Sequence, residues 1–380
     1  MIYRRLGKTG LMVSEVGFGS EWMERHNLED TIAVVKECEK QGINILDIWM
    51  SEPNVRTNVG IAIKENRDKW YVQGHIGSTW QDGQYVRTRD VDKVKIAFED
   101  LLARLQTDYI DLGMIHFVDR EEDWNNILSS PYLEYVKELK ATGKIHHIGL
   151  STHNPEIGIK AAESGFVEMI MFSVNPAFDM MPASENINTL FEDKYDENLS
   201  GIDPVRVKLY HTCEANDVGI TVMKGYAGGR LFDLRRSPFG VALTPVQCLH
   251  YCLTRPAVAS VMVGADIPAH ITDAAAYETA TQEEKDYASV LSGAPMHSYH
   301  GQCTYCGHCK PCPFDIDIAM VNKLYDLAVM QPEVPRSLRE HHNSLPNNAH
   351  SCIGCGACET RCPFGVKIAE KMAKASELFR

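Results

Sequence analysis

Basic residues are in short supply: 38 lysines and arginines stand against 51 aspartates and glutamates in 380 residues, a net charge of -13. Such a surface repels a phosphate backbone, and no basic stripe with interleaved aromatics offsets it, so nucleic acid is excluded as a partner. Long apolar runs are missing as well. No window approaches the ~18 uninterrupted apolar residues of a membrane helix. The opening MIYRRLGKTGLMVSEVGFGS carries early positive charges without the apolar stretch and small-residue cleavage site of an export signal. These absences predict a soluble protein with no membrane or nucleic-acid partner, and the metal-type spacing of its cysteines, taken up below, places it in the cytoplasm.

What is present is ordinary for a globular chain, with 44% hydrophobic and 23% charged residues. The length predicts one large domain plus a small one. From residue 14 to about residue 290, short apolar runs alternate with stretches of helical period, the pattern of a parallel sheet with crossover helices. Eight runs stand out: Glu15 to Gly19, Ile43 to Ile48, Trp70 to His75, Ile110 to His116, His146 to Ser151, Met169 to Val174, Ile220 to Lys224 and Ser260 to Gly264. Val91, Val94, Phe98, Leu101 and Leu105 form one apolar stripe between two of them. Eight strands with intervening helices predict a TIM (β/α)8 barrel, whose chemistry sits on the loops after the strands. Met180 to Pro204 is long, polar and acidic, as befits a loop that lines or covers a site or a solvated insertion. The pattern ends after Ser292, which predicts domains at 1–292 and 293–380.

Twelve cysteines are unusual for an unexported chain, and eight fall in two runs. They are Cys303, Cys306, Cys309 and Cys312, followed by Pro313, then Cys352, Cys355, Cys358 and Cys362, followed by Pro363. Two-residue gaps let a loop wrap three thiolates around one face of a cubane while a remote cysteine closes it, so the spacing favours two [4Fe-4S] clusters over zinc or disulfides. In two-cluster ferredoxins the fourth cysteine of each run serves the other cluster. That arrangement assigns Cys303, Cys306, Cys309 and Cys362 to one cluster and Cys352, Cys355, Cys358 and Cys312 to the second. The first run has two residues, not three, before its last cysteine, a departure from the usual spacing. Helical spacing at Ile318, Val321, Leu324, Tyr325 and Ala328 predicts a small α-helical ferredoxin-like domain. Cys38, Cys213, Cys248 and Cys252 read as buried filler, and the pairs His146-His147 and His341-His342 as surface residues.

The segments RRLGKTGLMVSEVGFGS, ILDIW, DYIDLGMIHFVD, GKIHHIGLSTHN and GITVMKGYAGGRL resemble the aldo-keto reductase family across nearly the whole barrel. With the cysteine runs, the chain resembles the branch carrying a fused iron-sulfur domain. The resemblance implies a nicotinamide dinucleotide across the barrel mouth and four catalytic groups: a tyrosine acid, a lysine and an aspartate that tune it, and a histidine that orients the substrate. Asp47 and His116 match the aspartate and the histidine. Glu52 stands where the tyrosine is expected, His75 where the lysine is, and no tyrosine occurs between Asp47 and Lys69. Without its activating cation a tyrosine is a poor acid near neutrality. Imidazole titrates near neutrality, so proton transfer is expected to fall to His75 or His116, held by Asp47. One carboxylate and two histidines also make the ligand set of a non-haem iron site. The resemblance places pyrophosphate on Gly225, Gly228, Gly229, Leu231, Gly264 and Ala265, and the nicotinamide amide on Ser151. Thr152 and Met171 replace an expected asparagine and glutamine, and Asp266 to Asp273 holds no lysine or arginine for a 2'-phosphate. The cofactor is therefore expected to be NADP(H) or NAD(H), with FMN as the alternative.

A cluster passes single electrons and a nicotinamide a hydride. The expected function is an oxidoreductase that reduces a small organic substrate with non-standard acid residues, served by a redox partner protein such as ferredoxin or flavodoxin. The other reading is a non-enzymatic electron carrier or docking protein with a degenerate barrel.

Overall fold

The computed structural model describes residues 1–192 and 195–380. Eight strands form a closed parallel barrel: β1 Val16–Gly19, β2 Ile45–Ile48, β3 Tyr71–Ile76, β4 Ile110–Ile115, β5 Ile145–Thr152, β6 Met169–Ser173, β7 Gly219–Met223 and β8 Val258–Gly264. Each strand pairs with its sequence neighbours, and β8 returns to β1. Strands β2 and β4 are buried along their whole length, as expected where helices cover the outside and side chains fill the inside.

The connecting helices follow from their stripes. In Val91–Leu105, the buried face is Val94, Phe98, Leu101, Leu102 and Leu105. Asp90 starts that helix by accepting hydrogen bonds from the amides of Asp92 and Lys93. Inside the barrel, Met114, Met169, Met171 and Met262 pack with Ile45 and Leu112. Leu6 and Val13 complete this layer from an antiparallel pair, Tyr3–Arg5 with Met12–Ser14, that closes the bottom. The turn between them comes so close to β7 that a Cβ on Gly7, at φ 51°, would lie 2.2 Å from the Gly219 nitrogen.

At the opposite, C-terminal end of the strands, Ser78–Gln81 and Gln84–Arg87 make a hairpin directly after β3. The buried Arg56 staples it, donating to the carbonyls of Met50, Ala97 and Ser78. The acidic stretch 180–204 packs against the C-terminal segment: Gln302 pairs through both side-chain ends with the Ile202 backbone, and His297 Nδ1 lies 2.6 Å from the Leu199 carbonyl. Asp193 and Lys194 of this stretch lie outside the described residues.

The C-terminal unit is built on helices Ile318–Val329, Arg336–Ser344 and Ile368–Leu378. Its apolar residues, including Val321, Leu324, Phe364 and Met372, belong to one continuous core with the outer barrel layer. A polar junction lies within that core. Tyr251 and Tyr210 donate to Asp179 at 2.7 and 2.5 Å, and Tyr287 donates to the Thr304 carbonyl at 3.1 Å. Arg255 donates to that carbonyl as well. The four cysteines outside the runs are buried. Of the histidine pairs, His146 and His341 are exposed, but His342 is fully buried because its ring stacks on Phe379 at 4.3 Å and its Nε2 accepts from the Ala349 amide.

Candidate active site and cysteine-lined cavities

The ends of β2, β3 and β4 bring Asp47, His75 and His116 together, as the sequence suggests. Asp47 sits level with Gln73 across the β2–β3 ladder, which lets the Gln73 side-chain amide donate to the carboxylate at 3.1 Å. His75 Nε2 lies 2.9 Å from the same carboxylate oxygen, and His75 Nδ1 lies 2.7 Å from His116 Nδ1. His116 Nε2 in turn lies 2.7 Å from the hydroxyl of Tyr85. Asp47, His75 and His116 are 2%, 4% and 5% exposed, so only Tyr85, half-buried on the hairpin, brings this row toward solvent.

The row also rules on the non-haem iron alternative. Both nitrogens of His75 are spent on Asp47 and His116, so the three groups stand in line and do not converge on one centre. Among the described residues, no three His, Cys, Asp or Glu side chains are grouped to hold a single metal ion. Burial, reinforced by the neighbouring His75 ring, pushes the His116 pKa well below the ordinary histidine value, so this imidazole stays neutral. Burial raises the Tyr85 pKa, while the charges of Arg87 and Arg89 beside it act in the opposite sense and supply the cations that a tyrosine acid needs. Trp49 stacks on His116 with 5.9 Å between ring centroids and 11° between planes, fixing the ring's orientation. Glu52, at the expected tyrosine position, caps helix Pro53–Ile63 by accepting from the Val55 amide at 2.8 Å.

Tyr85 was not found by sequence reasoning confined to the segment after Asp47. The signal lay elsewhere: STWQDGQYVR alternates around an Asp82-Gly83 pair, a strong hairpin signature that returns the chain to the barrel mouth. Asp119 and His153 were missed too. Asp119 accepts from His153 Nδ1 at 3.0 Å and from the His153 amide at 2.7 Å, placing a second carboxylate–imidazole pair on the loops after β4 and β5.

The expected cofactor residues divide into two groups. Gly228 and Gly229, at φ 64° and 81°, have nothing within 4 Å of where a Cβ would stand, leaving open backbone after β7. Gly264 is exposed at the end of β8 beside the Trp22 indole. Gly228 and Gly229 fit a phosphate cradle, because no side chain stands in the way of their backbone, whereas at Gly264 a Cβ would lie 2.4 Å from the Trp22 indole nitrogen, so that position is already covered. Gly225, Leu231 and Ala265 are buried, and the Leu231 carbonyl already accepts from the Leu243 amide, so Leu231 is a core residue and not a lining one. Ser151 is buried and accepts from the Phe117 amide at 2.8 Å. Lys224, half-buried just after β7, faces Glu21 at 4.0 Å, a pair that the sequence reading did not single out.

In the C-terminal unit the cysteines line two cavities. Cys303, Cys306, Cys309 and Cys362 line one together with Tyr305, Asn322 and Phe364. Cys312, Cys352, Cys355 and Cys358 line another with Phe314, Ile353 and Met372. Four sulfurs and largely apolar walls suit a cubane in each. The first cavity abuts the barrel through Thr304, while the second carries the exposed Cys355 and Ile353.

A barrel with acid–base side chains at the C-terminal ends of its strands, fused to a two-cluster iron-sulfur unit, defines an oxidoreductase. Residues 15–292 match the profile of the Aldo/keto reductase family, residues 299–366 match that of the 4Fe-4S dicluster domain, and the chain belongs to the aldo/keto reductase family. It is similar to the protein named Uncharacterized oxidoreductase YqkF of Bacillus subtilis, at 30% identity over 274 residues, covering 69% of this chain and 86% of the relative. Aldo-keto reductase YhdN of the same organism is 29% identical over 166 residues, 41% of this chain and 48% of its own. The solved aldo-keto reductase AKR11C1 from Bacillus halodurans, in its holo form, shares the fold with a TM-score of 0.58 at 23% identity, over 75% of this chain and 94% of that one.

Proposed function

We propose that this oxidoreductase reduces a small organic substrate at the barrel mouth, with Asp47, His75 and His116 managing the proton. The observation that carries this reading is the hydrogen-bonded row that runs from a buried carboxylate to the mouth. NADP(H) or NAD(H) is the proposed cofactor, held by the open backbone at Gly228 and Gly229; when bound it supplies the hydride. Neither the barrel nor the relatives support FMN, and that alternative is set aside. Cys303, Cys306, Cys309 and Cys362 are the proposed ligands of one [4Fe-4S] cluster, and Cys312, Cys352, Cys355 and Cys358 those of the other. The exposed second cavity suits exchange with a redox partner protein such as ferredoxin or flavodoxin. We assign the barrel domain to 1–292, the cluster domain to 293–380, and the protein to the cytoplasm, where its thiols stay available for iron. No helix among the described residues is long and apolar enough to cross a membrane.

The test is anaerobic turnover of carbonyl substrates with NADPH and with NADH. Replacing His75 or His116 by alanine should lower the rate by about 10²-fold or more, the usual worth of positioned acid–base groups. Full turnover in both variants overturns the proposal.

A further inference from the structure

The row of hydrogen bonds at the mouth has a direction that its donors and acceptors impose. If Asp47 is a carboxylate, it accepts from His75 Nε2–H, which leaves His75 Nδ1 bare to accept from His116 Nδ1–H. His116 Nε2 is then bare and accepts from the Tyr85 hydroxyl. If Asp47 carries a proton, every bond reverses: Asp47 donates to His75, His75 to His116, His116 to Tyr85, and the Tyr85 O–H points outward. Each link holds one proton in either state, and no imidazolium forms.

Tyr85 is also held in place. Arg87 donates to the Phe117 carbonyl at 2.6 Å and Arg89 to the His116 carbonyl at 2.7 Å, clamping the hairpin to the loop that follows His116. Trp49 meets the Tyr85 ring edge-on at 5.4 Å while stacking on His116, so one indole sets both rings. Arg89 is anchored to Asp123 at 2.7 Å.

We infer that Tyr85, on the hairpin after β3, is the catalytic residue that hands the proton to the substrate, with His116, His75 and Asp47 as the relay that restores it. The inference rests on the reductase reading above. A bound reduced nicotinamide would supply the hydride; on the side of this chain, the carbonyl oxygen takes the Tyr85 proton. Tyr85 recovers one from His116 Nε2, His116 from His75 Nδ1, and His75 from Asp47, which ends as the carboxylate. Solvent reprotonates the row between turnovers; alcohol oxidation runs the same shifts backward and leaves the proton on Asp47.

Tyr85→Phe tests this in the cluster-loaded protein, with nitrobenzaldehyde and phenanthrenequinone as probes and each nicotinamide in turn. The ring stays packed against Trp49, so the fold is retained and is checked by circular dichroism. The expected result is a kcat at least about 10²-fold lower with KM changed less than about threefold. In ¹⁵N spectra of the ligand-free protein, the His116 Nε2 resonance should move to that of an unbonded ring nitrogen. A variant whose kcat stays within threefold of an active parent, or an unmoved His116 resonance, overturns the inference and leaves the reductase reading standing. A parent inert toward both carbonyls with both nicotinamides sinks the reductase reading and the inference together.

Discussion

Asp179 and Asp217 each bond at short range to an arginine or tyrosine, yet burial gives the two bonds very different worth. Asp179 is fully buried between Tyr210 and Tyr251 with Arg206 3.7 Å away, and burial pushes its pKa up despite that guanidinium. Asp217 pairs with Arg5 at 2.7 Å where both side chains are about half exposed. Removing one charge of a buried pair leaves the other uncompensated, so Asp179→Asn should cost about 3–5 kcal/mol. Asp217→Asn should cost under about 1 kcal/mol, because water and salt already screen that pair. Denaturant unfolding of both variants checks the contrast, and equal losses contradict it. At this scale the sequence was readable where a residue closes a strand: Asp47, His75 and His116 were named from their strand ends and do meet. Tyr85 escaped because its partner is 31 residues away and only the hairpin's return brings them together. Leu231 misled because a position within a glycine-rich loop does not reveal that its side chain turns into the core.

Each cysteine run acts as an element in its own right, and the two are interlocked. The first run lends Cys312 to the cavity built by the second, and the second lends Cys362 to the cavity built by the first. Cys362→Ser should therefore damage the cluster whose other three ligands lie more than fifty residues upstream, sparing the one lined by its immediate neighbours. Cys312→Ser should do the converse. Low-temperature electron paramagnetic resonance of the reduced variants, with an iron count falling by about half, distinguishes this from loss of the neighbouring cluster. The strands were legible because burial on both faces leaves continuous apolar runs, and the helices because a stripe must face the sheet. The hairpin and the path of 180–204 were harder to read: polar, part-exposed segments obey turn chemistry and tertiary contacts, not a hydrophobic period.

Across the whole molecule the barrel and the cluster unit share one apolar core, with Arg255, Tyr287 and Thr304 at the seam. The barrel closes on itself and has its own interior layer, whereas the C-terminal unit is small and wraps its helices around the two cavities. Stripping iron with a chelator should leave the barrel's circular dichroism and cooperative melt largely intact while the region after residue 293 becomes protease-sensitive, because metal-binding energy is folding energy in small domains. Limited proteolysis with mass spectrometry checks this; a barrel cleaved as fast as the cluster unit contradicts it. The crossed cysteine sets also dictate a timetable during synthesis on the ribosome. With the proposed ligand sets, the first run carries three thiols for its own cluster and one for the other, and Cys362 follows more than fifty residues after Cys309. With those sets, neither cluster has all four of its thiols until the second run has emerged.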